Sequence, residues 1–405
     1  MNLSQMVHTK EEAMQAKRWI GNALLGTAML IAAASAHAQG VVKLGLVAEF
    51  SGPFAQYGEQ IYNGMKAYMK QHGDTVAGKK IELITRDTKG PAPDVAKRFA
   101  QELITRDQVQ FLAGFGLTPN AMAVAPVVTE AKVPMIISNA ATSSITTKSP
   151  YVTRVSMTIP QVSAPMAEWA LKNGIKQVYT VVADYGPGID AETQFTKSFK
   201  AGGGEVVGTL RTPLQNPDFS AAIQRVKDAK PQAVFVFLPA GEQGISFVKG
   251  FNERGLAAAG IKLIATGDIT DDHVLAAMGD PTLGLITSFH YSAAHDSPEN
   301  AAFLKAYADA NDAKLGAPNF MAAAGYDTMQ VIYEVAKKLG GNIDGDKAMA
   351  VIKGMKWTSP RGPVAIDADT RDITQTVYIR KVEKKNGKLA NVEFDKIADV
   401  KDPGK

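Results

Sequence analysis

Val41-Val42-Lys43-Leu44-Gly45-Leu46-Val47-Ala48-Glu49-Phe50, followed at once by Ser51-Gly52-Pro53-Phe54-Ala55-Gln56-Tyr57-Gly58, is the stretch on which the fold turns. A mostly apolar run of this length reads as a buried strand, and the Gly-Pro turn after it opens a helix. That helix shows in Ile61, Met65, Tyr68 and Met69, which share one face at helical spacing. The unit then recurs. Residues 80–86, 109–114 and 133–138 repeat the strand pattern, with Val95, Phe99 and Leu103 on a helical face between them. Residues 177–183, 205–211, 233–238 and 262–266 form a second series of strands separated by helical stretches. Beyond residues 283–291 come helices around 302–310 and 321–339, then a strand-like segment at 376–382 and a polar tail. Two successive βαβα runs predict an α/β protein of two doubly wound, parallel-sheet lobes. Ligands of such sheets sit beyond the carboxyl ends of the strands, so a small molecule is expected in the cleft between the lobes.

Composition narrows the chemistry. The chain has 405 residues, 45% hydrophobic and 21% charged, with no cysteine and a formal net charge of +4. Without cysteine there is no disulfide scaffold, thiolate-held metal or thiol nucleophile. The positive charge is too dilute over this length to imply nucleic acid. The six histidines are scattered, with no H-x-x-x-H or H-E-x-x-H spacing, and neither G-x-S-x-G nor G-x-x-x-x-G-K-[ST] occurs. No enzyme, metal or cofactor is therefore expected, and His290 is assigned to packing. At the N-terminus, Lys17 and Arg18 precede an apolar run at 20–34 and then Ser35-Ala36-His37-Ala38-Gln39. Basic flank, short apolar core and Ala-x-Ala end predict a signal peptide over 1–38, cleaved after Ala38, with Met1 or Met14 as the start. The mature protein is expected to be exported and not embedded in a membrane.

The residues after each strand carry the candidate site. Phe54 and Tyr57 form a pocket wall or cover the helix start. Thr118 in Gly114-Phe115-Gly116-Leu117-Thr118-Pro119-Asn120 suits an N-cap with Pro119 at the first helical position, and helix-start N–H groups there favour a carboxylate. The stretch opens like a dinucleotide fingerprint, but Pro119 stands in place of the third glycine. Small hydroxyl residues in Ser138-Asn139-Ala140-Ala141-Thr142-Ser143-Ser144 can donate to an oxyanion or form an ordinary loop. Tyr185 closes over a ligand or packs its turn. Asp268 pairs with an ammonium group or caps a helix, while Asp271 and Asp272 read as caps or solvated carboxylates.

Taken in order, Ser51-Gly52-Pro53 with Gln56-Tyr57-Gly58, Gly114 to Thr118, Ile137-Ser138 with Ala140-Ala141-Thr142, Tyr151 with Arg154, Asp184-Tyr185-Gly186 and Phe219-Ser220 resemble the substrate-binding proteins of bacterial ABC importers, of the leucine/isoleucine/valine-binding type. The resemblance implies a periplasmic binding protein type I fold, with three crossovers near residues 155–160, 288–292 and 357–363. Residues 39–157 plus 290–358 would then form lobe 1 and 158–289 plus 359–405 lobe 2. It also implies a monomer that closes by a hinge and delivers a small carboxylate-bearing ligand to an inner-membrane ABC permease. By the same resemblance Thr118, Ala140 and Thr142 contact the carboxylate, Tyr57 and Tyr185 line the pocket, and Asp268 receives the ammonium of a branched-chain or other apolar amino acid. Two departures bear on the ligand. Asp268 is one methylene shorter than the family's usual acid, and Pro239-Ala240-Gly241 stands where amino-acid binders often place an aromatic hydroxyl. Relatives with the stretch Gly267-Asp268-Ile269-Thr270-Asp271-Asp272 resemble importers of aromatic carboxylates as well, so a benzoate or phenylpropanoid acid is the alternative ligand. A periplasmic ligand sensor is the distant alternative role.

Overall fold

The computed structural model describes residues 40–311 and 316–405, so the expected signal peptide lies outside the described residues. The first sheet is built from β1 (Val41–Ala48), β2 (Thr75–Val76), β3 (Lys79–Asp87), β4 (Phe111–Gly114), β5 (Met135–Ile137) and β6 (Val152–Arg154). Its order is β2-β3-β1-β4-β5-β6, parallel throughout except for the short β2. Chain order reverses beside β1, which makes the gap between the ends of β1 and β4 the switch point where a ligand fits. Every residue of β4 and β5 is buried, as a strand covered by helices on both faces requires.

The second sheet contains β7 (Gln177–Ala183), β8 (Glu205–Thr212), β9 (Ala233–Phe237), β10 (Lys262–Thr266), β11 (Ile286–Phe289), β12 (Lys356–Ser359), β13 (Gly362–Ile366), β14 (Ile373–Lys385) and β15 (Lys388–Val400). Its order is β12-β13-β14-β11-β10-β9-β7-β8, with β15 paired to β14. Only β8-β7-β9-β10-β11 is parallel; β11, β12, β13, β14 and β15 are joined by antiparallel pairs. The sheet is thus mixed rather than parallel as expected. The strand predicted at 376–382 is one arm of a long hairpin, and the expected polar tail is the other. Asn386 and Gly387 form its turn with φ of 54° and 76°. Positive φ at both central residues is the type I′ geometry that Asn-Gly favours. β15 is largely exposed, so its weak apolar pattern hides it while the Asn-Gly pair marks it.

The lobes exchange chain. Helices Pro298–Ala310 and Phe320–Lys338 return to pack on Ala55–His72 of the first lobe. A Cβ at Gly64 would lie 1.9 Å from the Ala322 carbonyl oxygen, and one at Gly325 would lie 2.1 Å from that of Ile61. Only glycine permits this approach of two helices. One crossing runs from β6 into helix Ile159–Lys172, and a second follows β11. Residues 357–363, where the third crossing was expected, form β12, a tight turn and the start of β13 on the second sheet. Helix Gly345–Ile352 still packs against helix Phe320–Lys338, so the third crossing lies at 353–355.

Buried ion pairs fasten the crossings. Arg154 Nε lies 3.2 Å from Asp372 Oδ1, and its Nη2 donates to the Thr142 carbonyl at 2.8 Å. Arg361 Nη1 lies 3.1 Å from Asp327 Oδ2, and its Nη2 donates to the Val155 carbonyl. Asp327 also accepts from Trp357 Nε1 and Ser359 Oγ, each at 2.8 Å. His290, at the second crossing, packs between Phe289 and Phe320 with neither ring nitrogen partnered. Burial pushes it well below the usual imidazole range and holds it neutral.

Candidate functional site

The ends of β1, β4 and β5 in the first lobe face those of β7, β9 and β10 in the second. Between them lies a narrow cavity walled by Tyr57, Gly116, Thr118, Asn139, Ala141, Met157, Ile159, Tyr185, Pro187, Phe237, Pro239 and Asp268. The lobes touch around it. Gln56 Nε2 and Tyr57 Oη both donate to the Ala240 carbonyl, at 3.1 and 3.4 Å. A Cβ at Gly186 would lie 2.4 Å from Thr142 Oγ1, so glycine allows the second lobe to close on that hydroxyl. Three aromatic rings, those of Tyr57, Tyr185 and Phe237, stand on the wall beside the polar side chains of Thr118, Asn139 and Asp268. Tyr185 stacks on Phe237 with centroids 6.1 Å apart, and Tyr57 meets Phe54 edge-on at 5.4 Å. Such flat faces suit a ring held between the lobes.

Of the six residues singled out from sequence, four stand on the cavity wall: Tyr57, Thr118, Tyr185 and Asp268. Thr142 stands one layer back, its hydroxyl donating to that of Thr118 at 3.1 Å. Ala140 is off the wall: its N–H donates to the Phe115 carbonyl at 2.9 Å, and the neighbouring Ala141 lines the cavity instead. Thr118 was expected to cap its helix. It is instead the first helical residue, after Leu117, and no side chain caps this end. The Thr118 hydroxyl and the open helix start therefore both remain for a ligand. Phe54 borders a separate, outer cavity between the lobes together with Lys89, Pro217 and Gln243.

Asn139 and Pro239 fall in stretches already singled out from sequence, whereas Met157, Ile159, Pro187 and Phe237 were not named there. Phe237 and Pro239 follow directly from the strand-end rule, since they sit at and just beyond the end of β9. Asn139 lies within the small polar loop, where its amide donates to the Gly116 carbonyl at 2.7 Å and leaves a buried Oδ1 without a partner. Met157 and Ile159 belong to a crossing, which carries no local motif.

Three carboxyl groups, Asp268, Asp271 and Glu49, are buried at or near this cavity, and a fourth, Asp272, is half-buried. Asp268, 5% exposed, accepts from Thr266 Oγ1 at 2.8 Å, and burial pushes it up to about 7. Asp271, expected as a cap or solvated acid, is buried too; it accepts from Asn319 Nδ2 at 2.9 Å, and burial takes it to about 7. Asp272 accepts from Asn391 Nδ2 at 2.9 Å and the Ala293 N–H at 3.2 Å, and burial raises it as well. Glu49 is fully buried beside Gly116, where a Cβ would lie 2.1 Å from its Oε2. Its Oε1 accepts from Asn120 at 2.8 Å, its Oε2 has no partner, and burial pushes it to about 7. Among the described residues no lysine, arginine or histidine stands on the cavity wall. A bound anion must therefore rest on hydroxyls and main-chain N–H groups. Among the described residues no group of three or more acids or histidines is placed to hold a metal ion, and no helix is long and apolar enough to cross a membrane.

Known proteins share this architecture. The family model of the periplasmic binding proteins matches residues 41–388. A Leu/Ile/Val-binding protein homolog from Brucella melitensis biotype 1 is 46% identical over 385 residues, 94% of this chain and 98% of that protein. An ABC transporter solute-binding protein from R. palustris, crystallised with 4-hydroxybenzoate, superposes with a TM-score of 0.88 at 48% identity, covering 90% of this chain and 99% of that one. A solute-binding protein of an ABC transporter from Rhodopseudomonas palustris BisB5, in complex with 3,4-dihydroxybenzoic acid, gives a TM-score of 0.87 at 53% identity over the same shares.

Proposed function

Because this chain belongs to the periplasmic binding protein family and is a solute-binding protein of the ABC-transporter kind, we propose that it captures aromatic carboxylates of the benzoate type in the periplasm and presents them, as a monomer, to an inner-membrane permease. The observation that carries the reading is the cavity itself: small, aromatic-walled and without a cation. The carboxylate meets the Thr118 hydroxyl, backed by Thr142, and the open start of helix Thr118–Ala131. The ring lies between Tyr57 and the Tyr185–Phe237 stack, with its far edge toward Asp268. The hydroxybenzoate-bound relatives, at about half identity, support the same assignment. Closure then follows from binding, because Thr118 and Tyr57 come from one lobe and Tyr185, Phe237 and Asp268 from the other. Export by residues 1–38 and delivery to a permease complete the proposal. The lobe boundaries at 157, 289 and 358 are carried within it, with the last adjusted to the crossing at 353–355.

An amino-acid ligand is the second reading, and Asp268 is what favours it, as the one carboxyl on the wall able to meet an ammonium group. Thermal unfolding of the refolded protein against a panel of benzoates and amino acids separates the two. A ligand at 100 times its dissociation constant stabilises by about 2.7 kcal/mol. Hydroxybenzoates are expected to raise the midpoint; a rise with leucine or valine alone would overturn the aromatic-acid reading and leave the fold and the cleft intact. A panel in which nothing binds would retire the transport role as well.

A further inference from the structure

Asp268 stands among acidic and phenolic groups. Asp271 and Asp272 follow on its own segment, while Tyr57 of the first lobe and Tyr185, at the start of helix Gly186–Ala201, share the cavity wall with it as phenols that burial holds neutral. Behind it stands the cation of Arg380 on β14, whose Nη2 donates to the Gly267 carbonyl at 3.2 Å and whose Nη1 donates to that of Tyr291. That guanidinium is shared among Asp268, Asp271, Asp272 and Glu393. His295 adds little, because it is occupied by Glu393 at 2.8 Å. With the lobes closed, a benzoate-type ligand adds another negative charge to this space with no cation on the wall to meet it. In so dry a site a second carboxylate, even across the width of a ring, disfavours ionised Asp268, and Asp268 takes up a proton.

We propose that the cleft takes its aromatic carboxylate together with one proton, held on Asp268, so that capture is coupled to proton uptake and a neutral Asp268 faces the ring. The inference rests on the function proposed above. Thr266 Oγ1 donates to Asp268 Oδ2, which leaves Oδ1 to carry the proton toward the cavity, as donor to a ring substituent. The sign is definite. The proton is bound in the closed complex and absent from the free protein at alkaline pH, so affinity is retained at low pH and lost as pH rises. Burial already pushes Asp268 up to about 7 before any ligand enters, in the direction that the coupling requires. An amino acid gives the opposite sign, because its ammonium holds Asp268 ionised and releases a proton instead.

The test is calorimetric titration of the full, refolded chain with 4-hydroxybenzoate in buffers of low and high ionisation enthalpy, repeated from about pH 6 to about pH 8.5. The expected result is uptake of close to one proton per ligand near pH 8, with the dissociation constant rising toward tenfold per pH unit. In Asp268→Asn the affinity, whatever its level, is expected to lose its pH dependence and the binding heat its buffer dependence. Binding by the unaltered protein with no proton uptake and a flat pH profile would overturn the proposal while leaving the aromatic-acid function standing. Undiminished coupling in Asp268→Asn would also overturn it, placing the proton on Glu49 or Asp271. Failure of 4-hydroxybenzoate to bind at any pH, with heat from leucine instead, would remove the function and this inference together.

Discussion

At the hinge, Arg154 sits 3.2 Å from Asp372 and Arg361 sits 3.1 Å from Asp327, and each guanidinium also grips main-chain carbonyls of the segments around the first crossing. In the cleft, Asp268, Asp271 and Glu49 are about as deeply buried, yet their hydrogen-bond partners are neutral: Thr266, Asn319, Asn120 and Thr88. The hinge thus sets each buried acid against a guanidinium, although burial raises Asp327 too, while the cleft carries carboxyls that burial drives toward neutrality with no such partner in contact. Matched charges fix geometry, which suits segments about which two lobes must turn reproducibly. Unmatched carboxyls leave the site responsive to what enters it. Arg154 links the two regions, since its Nη2 holds the Thr142 carbonyl and Thr142 in turn orients the Thr118 hydroxyl.

The largest effect should come from breaking the hinge. Arg154→Ala leaves Asp372 buried with Lys405 as its remaining cation, and Arg361→Ala leaves Asp327 with none. Each is expected to cost on the order of 3–5 kcal/mol in denaturant unfolding. A loss below about 1 kcal/mol in both would mean that the pairs do not set the hinge. Burial holds Arg154 down at about 10, within the range where it stays charged at neutral pH, so the pair should persist there. In the cleft, Thr118→Val with Thr142→Val removes both hydroxyls, and hydrogen bonds to a charged ligand are worth about 1.5–3 kcal/mol. The predicted outcome is roughly 10- to 100-fold weaker binding by calorimetry with an unchanged unfolding midpoint.

Glu49→Gln sharpens the contrast from the stability side. A carboxyl raised from 4.5 to about 7 by burial costs stability once the pH exceeds its unfolded value, since the unfolded chain ionises first. The variant should be more stable than the parent at about pH 8, by on the order of 1–3 kcal/mol, with the advantage fading as pH falls toward about 4. A variant equally destabilised at both pH values would show that Glu49 is held charged by its partners. The smallest effect belongs to the surface, where Lys305 and Asp309 pair at 2.5 Å in largely exposed positions. Asp309→Ala should move stability by less than about 0.5 kcal/mol.

What the sequence disclosed follows from which signals are local. Strands 177–183 and 262–266 are bounded as expected, because buried parallel strands are continuous apolar runs between turns. Tyr57, Thr118, Tyr185 and Asp268 could be placed on the wall of the inter-lobe cavity from sequence because residues just beyond the strand ends face the cleft. β15 was hidden by its exposed, alternating charge, although Asn386-Gly387 announced the hairpin. The burial of Asp271 could not be read locally, since Asn319, which satisfies it, lies 48 positions away in the chain. The same holds for Arg154 and Asp372: two charged residues in polar contexts look solvated until the fold brings them together. Ala140, which the resemblance set against the carboxylate, stands off the wall, and its N–H donates to the Phe115 carbonyl.

The central claim is that the cleft recognises a ring and a carboxylate and has no use for an ammonium group. Its most direct test is paired calorimetric titration of the refolded protein with 4-hydroxybenzoate and with leucine at the same pH. The account predicts saturable binding of one 4-hydroxybenzoate per chain and no heat from leucine. Saturable leucine binding with no response to 4-hydroxybenzoate would contradict it, and would make Asp268 the ammonium partner of an amino-acid carrier.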